Sequence, residues 1–219
     1  MKYLLIPVKD LTRAKQRLAS LMSQPERTTL ARLMMENTFA QVAAARGADG
    51  VAIVTNYPPA TALAEFHGFE VITETEQISE SASVDYGSQI LLSRGATAVL
   101  RLPLDLPLLE STDIELLLSH IRPEPSAVIV PSREGTGTNA IARTPPDLFP
   151  SHFGPGSLAK HRAEADRLGI PCELLTLPRI AVDIDDPADL TYLLARNGPG
   201  PIIEYLHELD IPARLNLIA

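Results

Sequence analysis

Short apolar runs rich in β-branched residues alternate along the chain with segments in which apolar residues recur every three or four positions. The short runs predict strands, and the longer spacing predicts amphipathic helices. The predicted strands are residues 3–8, 51–55, 70–72, 98–102, 127–131, 139–142, 173–175 and 181–184. The predicted helices are residues 11–22, 28–46, 59–67, 84–94, 112–120, 155–168, 187–196 and 200–209. Such alternation predicts an α/β fold with a mostly parallel central sheet and helices on both faces.

The length of 219 residues suits a single domain, and no repeat, low-complexity tract or long linker interrupts the chain. In a sheet of this kind the ligand binds beyond the carboxyl ends of the strands, at the point where the strand order reverses. Polar residues that directly follow predicted strands are therefore the first candidates for a functional site.

The composition is that of an ordinary globular protein, with 45% hydrophobic, 21% charged and 5% aromatic residues. Its one cysteine, Cys172, can form neither an internal disulfide nor a Cys-x-x-Cys zinc site, and we expect it to fill the core of a cytoplasmic protein. No apolar run approaches the roughly 20 residues that span a bilayer. The apolar start is too short for a signal peptide and is followed by Lys9 and Asp10, so it is better interpreted as a buried strand.

The formal net charge of −8 argues against a general affinity for nucleic acid, which requires a concentrated basic surface. A polyphosphate ligand would need a local basic loop and divalent cations. Such a loop follows the first predicted strand and contains Lys9, Arg13, Lys15 and Arg17. These residues predict a cradle for triphosphate oxygens, and the alternative is the solvated face of an amphipathic helix.

Two glycine-rich segments resemble the dinucleotide-binding fingerprint, and no P-loop sequence is present. Neither segment lies in the first βα unit, and residues 135–140 precede a strand, so a dinucleotide site is disfavoured. Residues 154–159 open a predicted helix with Pro155 and Ser157. A helix N-terminus with a hydroxyl is a candidate anion site, although an ordinary capped loop fits equally well. His161, one turn later, is either a further contact of that anion or a surface histidine.

Three carboxylates that follow predicted strands are candidates for metal binding. Asp105 is framed by two prolines, which stiffen its backbone, while Asp183 and Asp185 lie two residues apart and project together. Like charges this close are costly unless a cation lies between them, and oxygen ligands suit Mg²⁺. Considered singly, Asp105 is more typical of a turn aspartate that accepts from local N–H groups, and Asp183 and Asp185 fit a pair of solvated strand-end carboxylates as well as they fit a metal site. Their convergence at one edge of the sheet favours a magnesium site.

Two further acidic segments have simpler interpretations. Asp186, before a proline, and Asp189 resemble the N-cap of a helix. A polar run near the predicted helix at residue 84 is either a cap or a contact to a nucleobase. The run comprises Glu80, Ser81, Ser83 and Asp85.

Six segments match, in order, the motifs of a known protein family. They are Pro7-Val8-Lys9, Ala14-Lys15-x-Arg17-Leu18, Leu102-Pro103-x-Asp105-Leu106-Pro107, Gly135-Thr136-Gly137-Thr138-Asn139-Ala140, Phe153-Gly154-Pro155-Gly156-Ser157-x-x-x-His161 and Asp183-Ile184-Asp185-x-Pro187-x-Asp189-Leu190. Together they resemble the CofC/FbiD family, guanylyltransferases of deazaflavin coenzyme biosynthesis that are related to the molybdenum-cofactor guanylyltransferases. The segments span residues 7–190 and are specific as a set.

The resemblance implies a single-domain, Rossmann-like nucleotidyltransferase fold of the GT-A type. It also implies GTP as donor, Mg²⁺ as cofactor, and phosphoenolpyruvate, 2-phospho-L-lactate or 3-phospho-D-glycerate as acceptor. The implied metal ligands are Asp105, Asp183 and Asp185. The implied acid contacts are Thr138, Gly154 and Ser157, with His161 as a further candidate. The implied nucleotide contacts are Pro7, Val8, Lys9 and Lys15, and the implied catalytic residues are Lys15, Arg17 and Asp105.

The chain departs from the family at one segment. Where relatives carry a Leu-Asn dipeptide near residue 84, it has Ser83-Val84-Asp85. The Asp85 carboxylate can accept hydrogen bonds from guanine, so we also predict Asp85 as a nucleotide contact.

Two other functions stay open at this level. One is a nucleotidyltransferase of the same fold that joins another nucleoside triphosphate to a sugar phosphate, and the other is a non-catalytic GTP-binding module. We expect neither nucleic acid nor a membrane as a partner. The amphipathic residues of the C-terminal segment 201–219 either form a homodimer contact or cover an edge of the chain's own sheet.

Overall fold

The computed structural model describes residues 1–196 and 198–217. In these residues one sheet contains β1 Lys2–Pro7, β2 Gly50–Val54, β3 Glu70–Ile72, β4 Ala98–Arg101, β5 Ser126–Pro131, β6 Thr138–Thr144 and β7 Cys172–Leu174. The strand order is β3-β2-β1-β4-β6-β5-β7, and β6 alone runs antiparallel to its neighbours. The predicted α/β fold with a mostly parallel sheet is therefore confirmed.

Helices cover both faces of this sheet, as predicted. They are α1 Gln24–Ala44, α2 Pro58–Phe66, α3 Glu80–Ser93, α4 Ser111–Ser119, α5 Ser157–Leu168, α6 Pro187–Leu194, α7 Pro201–Glu208 and α8 Ile211–Asn216. Alternation along β1 separates two cores, because Leu4 and Ile6 pack with α1, α2 and α4 while Leu5 packs with α3. On the α3 side, α5 packs against Ile129 and Ile141 of β5 and β6.

The predicted helix 11–22 is wrong. Two short 3₁₀ turns, Leu11–Arg13 and Gln16–Leu18, replace it, and Lys15 between them has a left-handed backbone with φ 54° and ψ 46°. A left-handed residue cannot continue a right-handed helix, so the chain turns at Lys15 instead of continuing. The apolar spacing that predicted a helix here is still used, since Leu11 and Leu18 are both buried.

The predicted strand 181–184 is also wrong, although its position at the cleft is useful. Its main-chain groups bond to two loops instead of a strand ladder: Ile184 N–H donates to Asp105 O (3.1 Å), and Ala181 O accepts from Arg133 N–H (2.8 Å). The segment therefore ties the loops after β4 and β5 together.

The C-terminal helix α7 packs against α1 and not along an edge of the sheet. Ile202, Ile203 and Leu206 of α7 are buried with Leu30 and Met34 of α1 in a separate apolar cluster. Residues 218 and 219 of the predicted amphipathic segment lie outside the described residues. Across the described ranges, no helix combines the length and the apolar character needed to cross a membrane.

Gly87 allows α3 to approach the sheet closely. A Cβ atom at this position would lie 2.6 Å from Val54 Cγ2 and 2.9 Å from Leu5 Cδ1, and both side chains are fully buried. We predict that Gly87→Ala destabilises the protein by about 1–3 kcal/mol, because overpacking outweighs the gain in helix propensity. Urea unfolding measures the change. Gln89→Ala, on the exposed face of the same helix, is the control, and a Gly87→Ala protein as stable as that control would show that the approach is not tight.

Candidate active site

Two adjoining cavities open at the carboxyl ends of the parallel strands. The glycine-side cavity, about 510 Å³, is lined by Thr138, Gly154, Ser157 and Asp183, among others. The lysine-side cavity, about 520 Å³, is lined by residues that include Pro7, Lys9, Arg13 and Lys15. Both cavities share the residues Arg17, Glu80, Pro103, Asp105 and Asp185. The start of β6 reaches this edge because β6 runs antiparallel to β4.

The Lys15 ammonium group connects the first loop to the shared wall of the cavities. Its Nζ lies 2.5 Å from Ile184 O, 3.3 Å from Asp105 Oδ2 and 3.5 Å from Asp185 Oδ1, and 11% of the side chain is exposed. The left-handed backbone of a lysine costs about 1–2 kcal/mol. Such an outlier at a cavity wall points to a functional constraint on this residue.

The three predicted metal ligands line the glycine-side cavity together. Burial, together with the charges of Asp105 and Asp185, raises the pKa of Asp183 to about 6, although Asn139 donates a hydrogen bond to it. Burial would also raise the pKa of Asp105, but the charges of Lys15 and Arg101 outweigh that effect and hold this pKa below its ordinary value.

The fit of this acidic group to a divalent cation rests on its chemistry. Among the described residues, no three Asp, Glu, His or Cys side chains are arranged closely enough to hold a metal ion as they stand, and the Lys15 ammonium lies between Asp105 and Asp185. The donors are nevertheless carboxylate oxygens, and the mutual repulsion that raises the pKa of Asp183 is what a cation relieves. Magnesium binding thus remains a prediction, for which the donor set is suitable.

Asp186 and Asp189 have the structural role predicted for them. Asp186 accepts hydrogen bonds from Ala188 N–H (2.8 Å) and Asp189 N–H (3.2 Å) at the start of α6. Asp189 accepts from Asp185 N–H (2.9 Å) and Asp186 N–H (3.0 Å). The cap therefore fixes the backbone directly beside Asp185.

Glycines shape the turn that carries Ser157 into the cavity. Gly154 and Gly156 have φ of 105° and 70°, values that other residues rarely adopt, and the helix α5 begins only after them, at Ser157. The prediction had placed the start of this helix at Pro155. Ser157 and Thr138, both almost completely buried, approach the same cavity from α5 and β6.

Three consecutive N–H groups hold the loop before this turn. Ser151 N–H donates to the Asp85 carboxylate (3.0 Å), His152 N–H to His161 Nε2 (2.9 Å) and Phe153 N–H to Ser81 Oγ (2.9 Å). The polar run at the start of α3 therefore positions the 151–153 loop.

Asp85 is not brought to the cleft with the other predicted nucleotide contacts. Its carboxylate also accepts from Ser151 Oγ (2.7 Å) and from Arg143 Nη1 (3.1 Å), beside a separate small cavity that Phe149 and Pro150 help to line. A carboxylate so engaged has a structural role, so the structure does not support Asp85 as a guanine contact.

His161 lies behind Thr138 and does not line either cavity. The prediction of an anion contact or a surface residue therefore does not fit, because the ring is fully buried. Nε2 accepts from His152 N–H, so the proton of the neutral ring is on Nδ1, which lies 3.0 Å from Thr138 Oγ1. With this acceptor position used by His161, the Thr138 hydroxyl can donate its own proton toward the cavity.

Arg101, on β4, is the site residue that the sequence interpretation missed. Its side chain is buried, lines the glycine-side cavity and stacks over the Phe153 ring, with Cζ 4.0 Å from the ring centroid. Burial lowers the pKa of Arg101 to about 10, so the guanidinium stays charged at neutral pH. A charged residue inside the otherwise apolar run 98–102 was the available signal.

The sequence of residues 1–216 matches the family described as "Guanylyl transferase CofC like". The chain belongs to this family. It is 35% identical to a phosphoenolpyruvate guanylyltransferase from Rubrobacter xylanophilus, over 90% of this chain and 95% of the relative. It is 30% identical to a 3-phospho-D-glycerate guanylyltransferase from Colwellia psychrerythraea, over 90% of this chain and 92% of the relative.

The fold of this CofC-like protein is that of the nucleotidyltransferases. A solved structure from Desulfovibrio desulfuricans, described as a nucleotide-diphospho-sugar transferase, superposes with a TM-score of 0.76 at 16% identity, covering 99% of this chain and 97% of that one. Of the residues that the family resemblance implies for the site, all but two line the cleft. His161 lies behind it, and Val8 is buried, with its carbonyl accepting hydrogen bonds from Thr55 Oγ1 (2.8 Å) and Gln77 Nε2 (3.0 Å).

Burial of His161 predicts a defined pH dependence of stability in this CofC-like protein. Burial first, and the nearby charge of Arg143 second, lower the pKa of His161 to about 3. An unfolded histidine binds a proton near pH 6.5, whereas the folded one does not. Above pH 6.5 the ring is neutral in both states, and its titration costs the folded state nothing. As the pH falls from 6.5 toward 3, only the unfolded state takes up this proton, so the free energy of unfolding decreases.

We predict that between pH 7.5 and pH 5 the wild type loses about 2 kcal/mol more unfolding free energy than His161→Gln, in which this titration is absent. Denaturant titrations at each pH measure the difference. The exposed His207→Gln variant should retain the wild-type slope. Parallel pH curves for the wild type and His161→Gln would contradict the assignment of a neutral, buried His161.

Proposed function

We propose that this protein transfers a guanylyl group from GTP to a phosphorylated three-carbon acid in deazaflavin coenzyme biosynthesis, with release of pyrophosphate. The observation that carries the proposal is the pair of adjoining cavities, which share Asp105 and Asp185. Two anionic ligands that must react need two pockets joined by a charge-neutralising wall. The guanylyltransferase names of relatives at 30–35% identity support this choice over other reactions of the fold.

The two substrates divide between the cavities according to charge. GTP takes the lysine-side cavity, where Lys9, Arg13 and Lys15 provide cations for three phosphates. The acid takes the glycine-side cavity, where Thr138 and Ser157 provide hydroxyl groups beside the N-terminus of α5. This arrangement directs the acid's phosphate toward the α-phosphorus of GTP across the shared wall.

The chemistry requires positioning more than proton transfer. A phosphate oxygen of the acid attacks the α-phosphorus in line, the bond to the β-phosphate oxygen breaks, and pyrophosphate leaves. The attacking phosphate is already an anion at neutral pH, so no strong general base is needed. Lys15 and Arg17 stabilise the negative charge that develops on the leaving group. Asp105, Asp183 and Asp185 would hold Mg²⁺, whose chemistry is neutralisation of the phosphate charges.

A single experiment tests the reaction and separates it from its rivals. The protein is incubated with GTP, Mg²⁺ and, separately, phosphoenolpyruvate, 2-phospho-L-lactate or 3-phospho-D-glycerate, and the product is identified by mass. The proposal requires a diphosphate-linked GMP product with at least one acid. A product with another nucleoside triphosphate and a sugar phosphate identifies the first rival. GTP binding without pyrophosphate release identifies a non-catalytic module.

We predict that Asp105→Asn lowers the turnover number by at least about 100-fold, because the shared wall loses one of the negative charges that would hold Mg²⁺. The melting temperature should stay close to that of the wild type. Pyrophosphate release measures the rate. Asp186→Asn is the matched control, since asparagine also caps a helix, and it should keep activity within about threefold. A fully active Asp105→Asn enzyme would remove Asp105 from the mechanism.

A further inference from the structure

Arg101 is a cation of the glycine-side cavity to which the proposed reaction assigns no role. The residue is 4% exposed, yet it lines the cavity beside Thr138. Nη1 donates to the carbonyl oxygens of Thr138 and Asn139, each at 3.3 Å, and the guanidinium plane lies on Phe153. These contacts fix the guanidinium before any ligand binds, which lowers the entropic cost of using it.

Among the described residues, the carboxylate in direct contact with Arg101 is that of Glu80, at Nη2, while the charges of Asp105 and Asp183 act on the guanidinium from farther away. Glu80 is the first residue of α3, and 36% of its side chain is exposed. It lines both cavities. Unlike Arg101, it is held by no other hydrogen bond in the part of the chain that the structure describes. The pair therefore joins a fixed cation to an anion that has space to move.

The other cations of the cleft are distributed unevenly. On the lysine side, Lys9 and Arg13 form no ion pair with the described residues, so they are available for a triphosphate. On the glycine side, Arg17 faces Asp185 and Arg133 faces Asp189. Among the described residues, each arginine that lines this cavity therefore faces a carboxylate. An acid gains a free cation there only by displacing that carboxylate.

We propose that Arg101 binds the carboxylate of the acid substrate, and that Glu80 occupies the same guanidinium until the acid displaces it. The inference rests on the proposed function. The acid's phosphate must face GTP to react, which leaves its carboxylate to be held by a fixed group. A planar guanidinium matches a carboxylate with two parallel hydrogen bonds. Glu80 then acts as an internal competitor that lowers the apparent affinity for the acid.

The test is Glu80→Gln, which removes the competing charge and keeps the shape of the side chain. We expect the Kd for phosphoenolpyruvate, measured by calorimetry in the presence of Mg²⁺, to fall by about three- to tenfold. The KM for the acid should fall in parallel, while the KM for GTP stays within twofold. Glu76→Gln, which removes the same charge from an exposed position before α3, should change neither value.

A second variant tests the other partner. Arg101→Lys keeps the charge but loses the fork, and we expect it to raise the Kd for the acid by about 10- to 100-fold with the KM for GTP unchanged. In the double variant, Glu80→Gln should no longer improve acid binding, because its benefit requires Arg101. Calorimetry with GTP checks that each variant is folded.

The outcomes separate this inference from the proposed function. An unchanged or weaker affinity for the acid in Glu80→Gln overturns the competition. A raised KM for GTP in the same variant overturns it as well, and it assigns Glu80 to guanine instead. Tighter acid binding in Glu80→Gln without any GMP-containing product supports the Arg101 site and refutes guanylyl transfer. If the wild type binds none of the three acids, both proposals fail.

Discussion

The contact of the Lys15 ammonium with Asp105, Asp185 and Ile184 O is the interaction on which the rest of the site depends. It joins three segments that are far apart in sequence: the loop after β1, the loop after β4 and the segment before α6. Without a cation at this point, carboxylates from two of these segments would repel one another at short range. Placing the ammonium group there gives Lys15 a left-handed backbone. This backbone interrupts the helix that the apolar spacing favours.

The opposite wall of the cleft is built by hydrogen bonds to the main chain. Ser81, Asp85 and His161 each accept from one residue of the 151–153 loop, and Thr138 contacts the same histidine. A loop fixed at three successive N–H groups has little freedom, so the turn that carries Ser157 is preorganised. One wall thus depends on the ion pairs of Lys15, and the other on a loop held by main-chain hydrogen bonds, one of them to the Asp85 carboxylate.

The sequence predicted the elements of the sheet well because a strand buried on both faces is a short continuous apolar run, as in β1. It predicted which segments meet at the cleft, because strand ends converge in a parallel sheet. It failed where one contact overrides a local pattern: the spacing around Lys15 is helical, and 181–184 resembles a strand although its partners are loops. A charge within an apolar run could mark Arg101 as unusual, but its role and that of Asp85 depend on partners more than twenty residues away along the chain, which the sequence pattern does not reveal.

Electrostatics explains how a protein with a net charge of −8 can accommodate two anionic substrates. In the described residues, Lys15, Arg17 and Arg101 each contact a carboxylate that lines the cleft. The shared wall and the glycine-side cavity are thereby compensated internally and have little attraction for unrelated anions. Lys9 and Arg13, which form no ion pair with the described residues, remain available to a polyphosphate, whereas a ligand of the glycine-side cavity gains a cation only when it displaces a carboxylate or arrives with one. In the proposed reaction, selectivity for a phosphorylated acid follows from the free energy needed to break an internal ion pair. Inorganic phosphate offsets that free energy less completely than a ligand that also contacts Thr138 and Ser157.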